Sequence, residues 1–112
     1  MGFITEPVGD PWADRADQLE RIADRLRSLG VDRLSRPDAE GVSIADEVHR
    51  ACVALASDST AAQVPRLADT ASGDQWSVIA GAHLAQVRSD APDPADAADL
   101  IDAWLRDLRR RL

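Results

Sequence analysis

Apolar positions recur at helical spacing along most of this chain and stop at short polar segments that contain proline or glycine. Between Asp10 and Gly30 they repeat every three or four residues, which predicts a helix that Asp10-Pro11 begins and Gly30 ends. Ser43 starts a second series, and Asp46 at its third helical position completes a capping-box pattern. These two segments predict amphipathic helices.

Two further helices are predicted in the second half, one from the cap at Gly73-Asp74 to about Ser89 and one beginning at Asp93-Pro94. Residues 31–42 form a loop with a short turn at Val31–Leu34. In 59–72, Pro65 predicts either a short helix over Thr60–Val64 followed by another that starts at Pro65, or one helix kinked there. We therefore expect one all-α domain over residues 1–112, a four- or five-helix up-and-down bundle with an extended N-terminal arm at 1–9.

The segment Gln75–Val87 contains no Asp, Glu, Lys or Arg, in a chain that is 29% charged. On a helical wheel one face is apolar and carries Trp76, Ile79, Ala80, His83, Leu84 and Val87. The opposite face is small or apolar as well and carries Ser77, Val78, Gly81, Ala82 and Ala85. A helix with no polar side is normally buried on most sides, yet this one is too short and too polar for a membrane span.

Two explanations fit such a helix: other parts of the same chain cover it, or a second chain does. We favour the second, because an exposed apolar strip of this length is unusual on a monomer. The recurrence of Ser77, Gly81 and Ala85 every four residues would let another helix approach closely. The sequence thus predicts a non-enzymatic interaction or regulatory module that associates through residues 75–88, most simply as a homodimer.

Composition narrows the partners further. The net charge of −7 disfavours nonspecific binding to nucleic acid or to an anionic membrane, so neither is expected as a partner. All 13 basic residues are Arg, and Lys, Asn and Tyr are absent; these three have AT-rich codons, which indicates a GC-rich bacterial genome. A single cysteine, Cys52, permits no internal disulfide, and we expect a cytoplasmic location and no cofactor.

The main alternative function is a small-molecule or metal site. His49 and Cys52 lie three residues apart on the second long helix, and His83 lies on the uncharged one, so together they would offer three zinc ligands if these helices pack together. A small-molecule pocket would lie near Trp76 and His83. Without a paired ligand motif, a hydrogen-bonded core histidine beside a buried thiol is the more common reading of this pattern.

Other patterns are weaker. The aspartates Asp93, Asp96, Asp99 and Asp102 suit the start of a helix electrostatically, as the arginines at 106 and 109–111 suit its end. The arginines leave a local phosphate-binding role as an alternative. No nucleophile elbow, phosphate loop or dinucleotide fingerprint is present, so we do not expect an enzyme.

Overall fold

The computed structural model describes residues 11–56, 64–90 and 98–112, and within these ranges every regular element is helical. This confirms the all-α class. The helices are α1 (Pro11–Ser28), α2 (Val31–Ser35), α3 (Ile44–Leu55), α4 (Ser72–Asp90) and α5 (Asp99–Arg111), with a 3₁₀ turn at Asp69–Ala71 before α4. The predicted arm at 1–9 and the predicted start at Asp93-Pro94 lie outside the described residues.

The start of α3 follows its sequence signal, whereas α4 begins at Ser72, so the predicted cap at Gly73-Asp74 lies within the first turn of that helix. At α3 the Ser43 hydroxyl accepts a hydrogen bond from the Asp46 backbone N–H (3.0 Å), and the Asp46 carboxylate accepts one from the Ser43 N–H (3.3 Å). This reciprocal pair is the predicted capping box. The short helix α2 confirms the predicted turn at Val31–Leu34.

The segment around Pro65 differs from the prediction. Residues 64–68 form no helix, so neither a new helix at Pro65 nor a kinked one is found there. Of the short helix predicted at Thr60–Val64, residues 60–63 lie outside the described residues. The residue before a proline is biased towards extended backbone. Side chains use the carbonyls instead: Gln75 donates to Pro65 O (2.9 Å), and the His49 ring lies 3.3 Å from Val64 O.

Contacts fix the helix directions. Gly73 at the start of α4 faces Ala23 and Arg27 near the end of α1, so these two helices are antiparallel. His49 and Gln75 contact the same short segment, and Leu55 at the end of α3 meets His83 further along α4. The helices α3 and α4 therefore run in the same direction.

Charged side chains tie α5 to the rest of the bundle. Asp102 near its start receives two hydrogen bonds from Arg15 (2.8 and 2.9 Å), and Arg111 at its end pairs with Glu47 and Asp38. The helix α5 thus runs parallel to α1 and antiparallel to α3. Consecutive long helices are therefore antiparallel from α1 to α3 and from α4 to α5, whereas α3 and α4 are parallel. The parallel pair is a departure from strict up-and-down order.

One aliphatic core joins all four long helices. Its largest fully buried side chains include Trp76, Leu26 and Ile101, and Cys52 lies among them. The predicted apolar stripes of α1 and α3 supply most of it. Two residues at helical spacing with the apolar series are exposed instead of buried: Ala16 at the edge between α1 and α4, and Leu100, which is 44% exposed on α5.

Candidate association surface

Within the described residues, the helix α4, whose central part Gln75–Val87 is uncharged, is covered on one side only. Trp76, Ala80 and Leu84 are buried against α1 and α3, while Ile79, His83 and Val87 are half-buried beside them. This matches the face that the sequence assigned to the core. The remaining small and apolar residues of α4 therefore lie on its outer side.

The five residues predicted as an interface divide into two groups. Val78, Ala82 and Ala85 are exposed, with Val78 68% exposed. Ser77 and Gly81 are half-buried at the border with α1, where the Ser77 hydroxyl donates to the Glu20 carboxylate (2.8 Å). A Cβ added at Gly81 would meet no atom within 4 Å. The backbone of α4 is thus openly accessible at its midpoint.

A groove of about 590 Å³ continues this face towards α1. Leu84 and Trp12 lie at its floor, Ala13 and Ala16 form the α1 wall, and Gly81 forms part of the α4 wall. The α1 contribution was missed from the sequence. The signal was present in Ala13 and Ala16, two small residues three positions apart that repeat the small-residue character of Gly81 and Ala85.

The two residues predicted to line a small-molecule pocket, Trp76 and His83, each bond to a backbone carbonyl of a neighbouring helix. Trp76 is fully buried, and its indole N–H donates to the Leu19 backbone carbonyl (2.9 Å). His83 Nδ1 lies 3.0 Å from Leu55 O, and because a carbonyl can only accept, Nδ1 carries the proton. His83 Nε2 is buried, and it has no hydrogen-bond partner within the part of the chain that the structure describes. Burial lowers the pKa of His83, so the ring is neutral near pH 7.

The three residues of the proposed metal site do not form one. His49 is directed at Val64 O, His83 at Leu55 O, and Cys52 is fully buried in the apolar core. Burial raises the pKa of the Cys52 thiol to about 12, so the free thiol is protonated near neutral pH. Over residues 11–56, 64–90 and 98–112, no three His, Cys, Asp or Glu side chains are grouped to hold a metal ion. His49 and Cys52 lie on α3 and His83 lies on α4, and the three side chains point to separate surroundings.

Comparison of the chain with protein-family models, curated proteins and solved structures finds no significant match. None of the described helices combines the length and apolar content needed to cross a membrane. The function is therefore inferred from the exposed face of α4 and the groove beside it.

Proposed function

We propose that this chain is a non-enzymatic, cytoplasmic association module that forms a homodimer through the outer face of α4. The observation that carries the proposal is the exposure of Val78, Ala82 and Ala85 on a helix whose central residues carry no charge. Among the other described residues, the exposed large apolar side chains, Val31, Leu67 and Leu100, lie on separate segments of the chain. Single exposed apolar residues are ordinary, whereas a continuous strip on one helix marks an interaction surface.

The size of the surface indicates that α1 takes part. The 19 residues of α4 span about 28 Å, so a strip about 10 Å wide offers only about 280 Å² in projection. A stable interface buries roughly 800 Å² on each partner. The wall of the adjoining groove, with Ala13 and Ala16, supplies further small-residue surface on the same side of the molecule.

Charge favours a second copy as the partner. Asp74, whose carboxylate also pairs with Arg27 of the same chain (2.8 Å), lies at the start of α4, and Arg88 lies near its end, on either side of the uncharged central part. Two copies of α4 packed antiparallel about a two-fold axis near Gly81 and Ala82 bring Asp74 of one chain beside the partner's Arg88. The opposed helix dipoles favour the same arrangement. Small side chains at the axis allow the two backbones to approach closely.

The test is the mass of the protein in solution. Native mass spectrometry and light scattering of the purified chain should give twice the 12.1 kDa of one chain. Val78→Glu should shift the mass to the monomer, because a carboxylate buried at an apolar contact opposes association. Val31→Glu is the matched control, since it makes the same change at another exposed valine, 54% exposed on α2, and should remain dimeric.

A cysteine placed at the axis tests the geometry. Ala82→Cys should form an intermolecular disulfide under mild oxidation, because a residue beside a two-fold axis meets its own copy. The buried thiol of Cys52 leaves little background. A wild-type mass of one chain at high micromolar concentration, or equal effects of the two glutamate substitutions, would refute the proposal. A small mass increment beyond that of one chain or of two chains would instead reveal a bound small molecule.

A further inference from the structure

A second groove, of about 340 Å³, lies between α1 and α5, on a different side of α1 from the surface described above. Three arginines line it, Arg21 and Arg25 from α1 and Arg109 from α5. Its remaining lining comes from Gln18, Ile22 and Leu112. The groove thus combines guanidinium groups with an apolar floor, in a chain whose net charge is −7.

The three arginines of the groove have no acidic partner among the described residues. Arg15 pairs with Asp102, Arg66 with Asp46, and Arg111 with Glu47. In contrast, none of the carboxylates in the described ranges lies within ion-pair distance of the three that line the groove. What distinguishes these three arginines is that they line one groove together with an apolar floor, in a chain of 20 acidic residues and 13 arginines. Their guanidinium groups are available to an external anion.

The groove also has fixed elements. Gln18 Oε1 accepts a hydrogen bond from Arg109 Nη1 (2.8 Å), which holds that guanidinium at the wall and leaves its other N–H groups available. Ile22 is buried and Leu112 is half-buried between the two helices, so an apolar group can contact them without disturbing the core. Arg21 and Arg25 lie one helical turn apart on α1, which lets both approach one anionic group.

We infer that the α1–α5 groove binds a small organic anion, a phosphate or carboxylate that bears a short apolar chain. Planar guanidinium forks bind the oxygens of either group with paired hydrogen bonds. The apolar chain would lie on Ile22 and Leu112. Because the chain as a whole repels anions, binding depends on this local cluster and weakens as salt screens it.

Calorimetric titration of the full chain with three probes tests the inference. Octyl phosphate and octanoate carry the two anionic groups on the same kind of chain, and whichever binds identifies the preferred group. Inorganic phosphate lacks the chain and should bind at least about tenfold more weakly than octyl phosphate. Raising the salt concentration should weaken the anionic probes.

Substitutions then assign the site. The double variant Arg21→Gln/Arg25→Gln should weaken binding by about tenfold or more, since it removes two charge-assisted contacts. The variant Arg33→Gln/Arg36→Gln changes the net charge equally at two exposed residues around the end of α2 and should bind like the wild type. All four positions are exposed, and circular dichroism confirms that both variants keep the fold.

Three results would overturn the inference: no heat with octyl phosphate or octanoate, equal losses in the two double variants, or equally tight binding of octyl glucoside, which has the chain without the charge. Association through α4 does not enter this measurement. A Val78→Glu monomer that still binds octyl phosphate separates the two proposals.

Discussion

The indole N–H of Trp76 donates a 2.9 Å hydrogen bond to the backbone carbonyl of Leu19, inside the buried contact between α4 and α1. A helix carbonyl has a second lone pair, so it can accept this bond while keeping its own place in α1. The bond sets the position of the largest fully buried side chain in the core relative to the antiparallel helix beside it.

Trp76→Phe should therefore lower the free energy of unfolding by about 1–3 kcal/mol, through a lost buried hydrogen bond and a cavity beside Leu19. Urea unfolding followed by circular dichroism measures the change. Trp104→Phe, at a half-buried tryptophan on α5, serves as the control and should cost less. Equal losses at the two positions would argue against a special role for the Trp76 bond.

Two glycines of α4 should respond to alanine with opposite signs. At Gly73 an added Cβ would lie 2.9 Å from the backbone oxygen of Ala23, and that backbone cannot move aside without shifting α1. We expect Gly73→Ala to destabilise the fold by about 1–3 kcal/mol. At Gly81 the space is open, so Gly81→Ala should stabilise the fold by roughly 0.5–1 kcal/mol through helix propensity.

The same Gly81→Ala variant separates folding from association. An added methyl group at the proposed two-fold axis should weaken the dimer even as it stabilises each chain. Thermal unfolding and sedimentation equilibrium on one sample measure the two effects. A variant that is both more stable and more tightly associated would contradict close backbone approach at this position.

Local structure was predictable where one short stretch of sequence determines it. The capping box at Ser43 and Asp46 involves residues three apart, and it formed as expected. The apolar series of α1 identified Leu19, Ile22 and Leu26 as core residues, because helical periodicity alone places them on one side.

What could not be predicted depends on contacts between distant segments. Periodicity says which face of a helix is buried but not which helix covers it. The parallel pairing of α3 with α4 and the contact of Arg111 with Glu47 are both long-range. The metal hypothesis for His49, Cys52 and His83 came from the same gap, because shared helices do not fix where side chains point. The groove between α1 and α5 likewise requires the packed bundle.

Cys52 should not react with thiol reagents while the protein is folded. It is fully buried, and burial raises the pKa of its thiol to about 12, so neither access nor thiolate is available near neutral pH. A thiol reagent such as Ellman's should label the native chain only as fast as it unfolds, and should label it at once in urea. An introduced Val31→Cys, at an exposed position on α2 outside the proposed interface, provides the positive control. Rapid labelling of wild-type protein would show that the core around α3 opens readily.

Acid should destabilise the fold first through His83. Burial lowers the pKa of this ring below its usual 6.5, although the hydrogen bond to Leu55 O partly opposes that effect. As the pH falls below 6.5, His83 therefore takes up a proton more readily in the unfolded chain than in the folded one. The free energy of unfolding decreases as a result. Asp38 and Asp46 affect stability only at lower pH. A backbone hydrogen bond from Val42 lowers the pKa of Asp38 below 3.8, and a side-chain hydrogen bond from Arg66 lowers that of Asp46. The stability that these two carboxylates contribute is therefore lost only in stronger acid. Urea midpoints at about pH 7.5 and about pH 5.5 should differ in the wild type and differ less in His83→Asn, whose amide can still donate to Leu55 O but does not titrate. An unchanged difference in that variant would assign the pH dependence to another group.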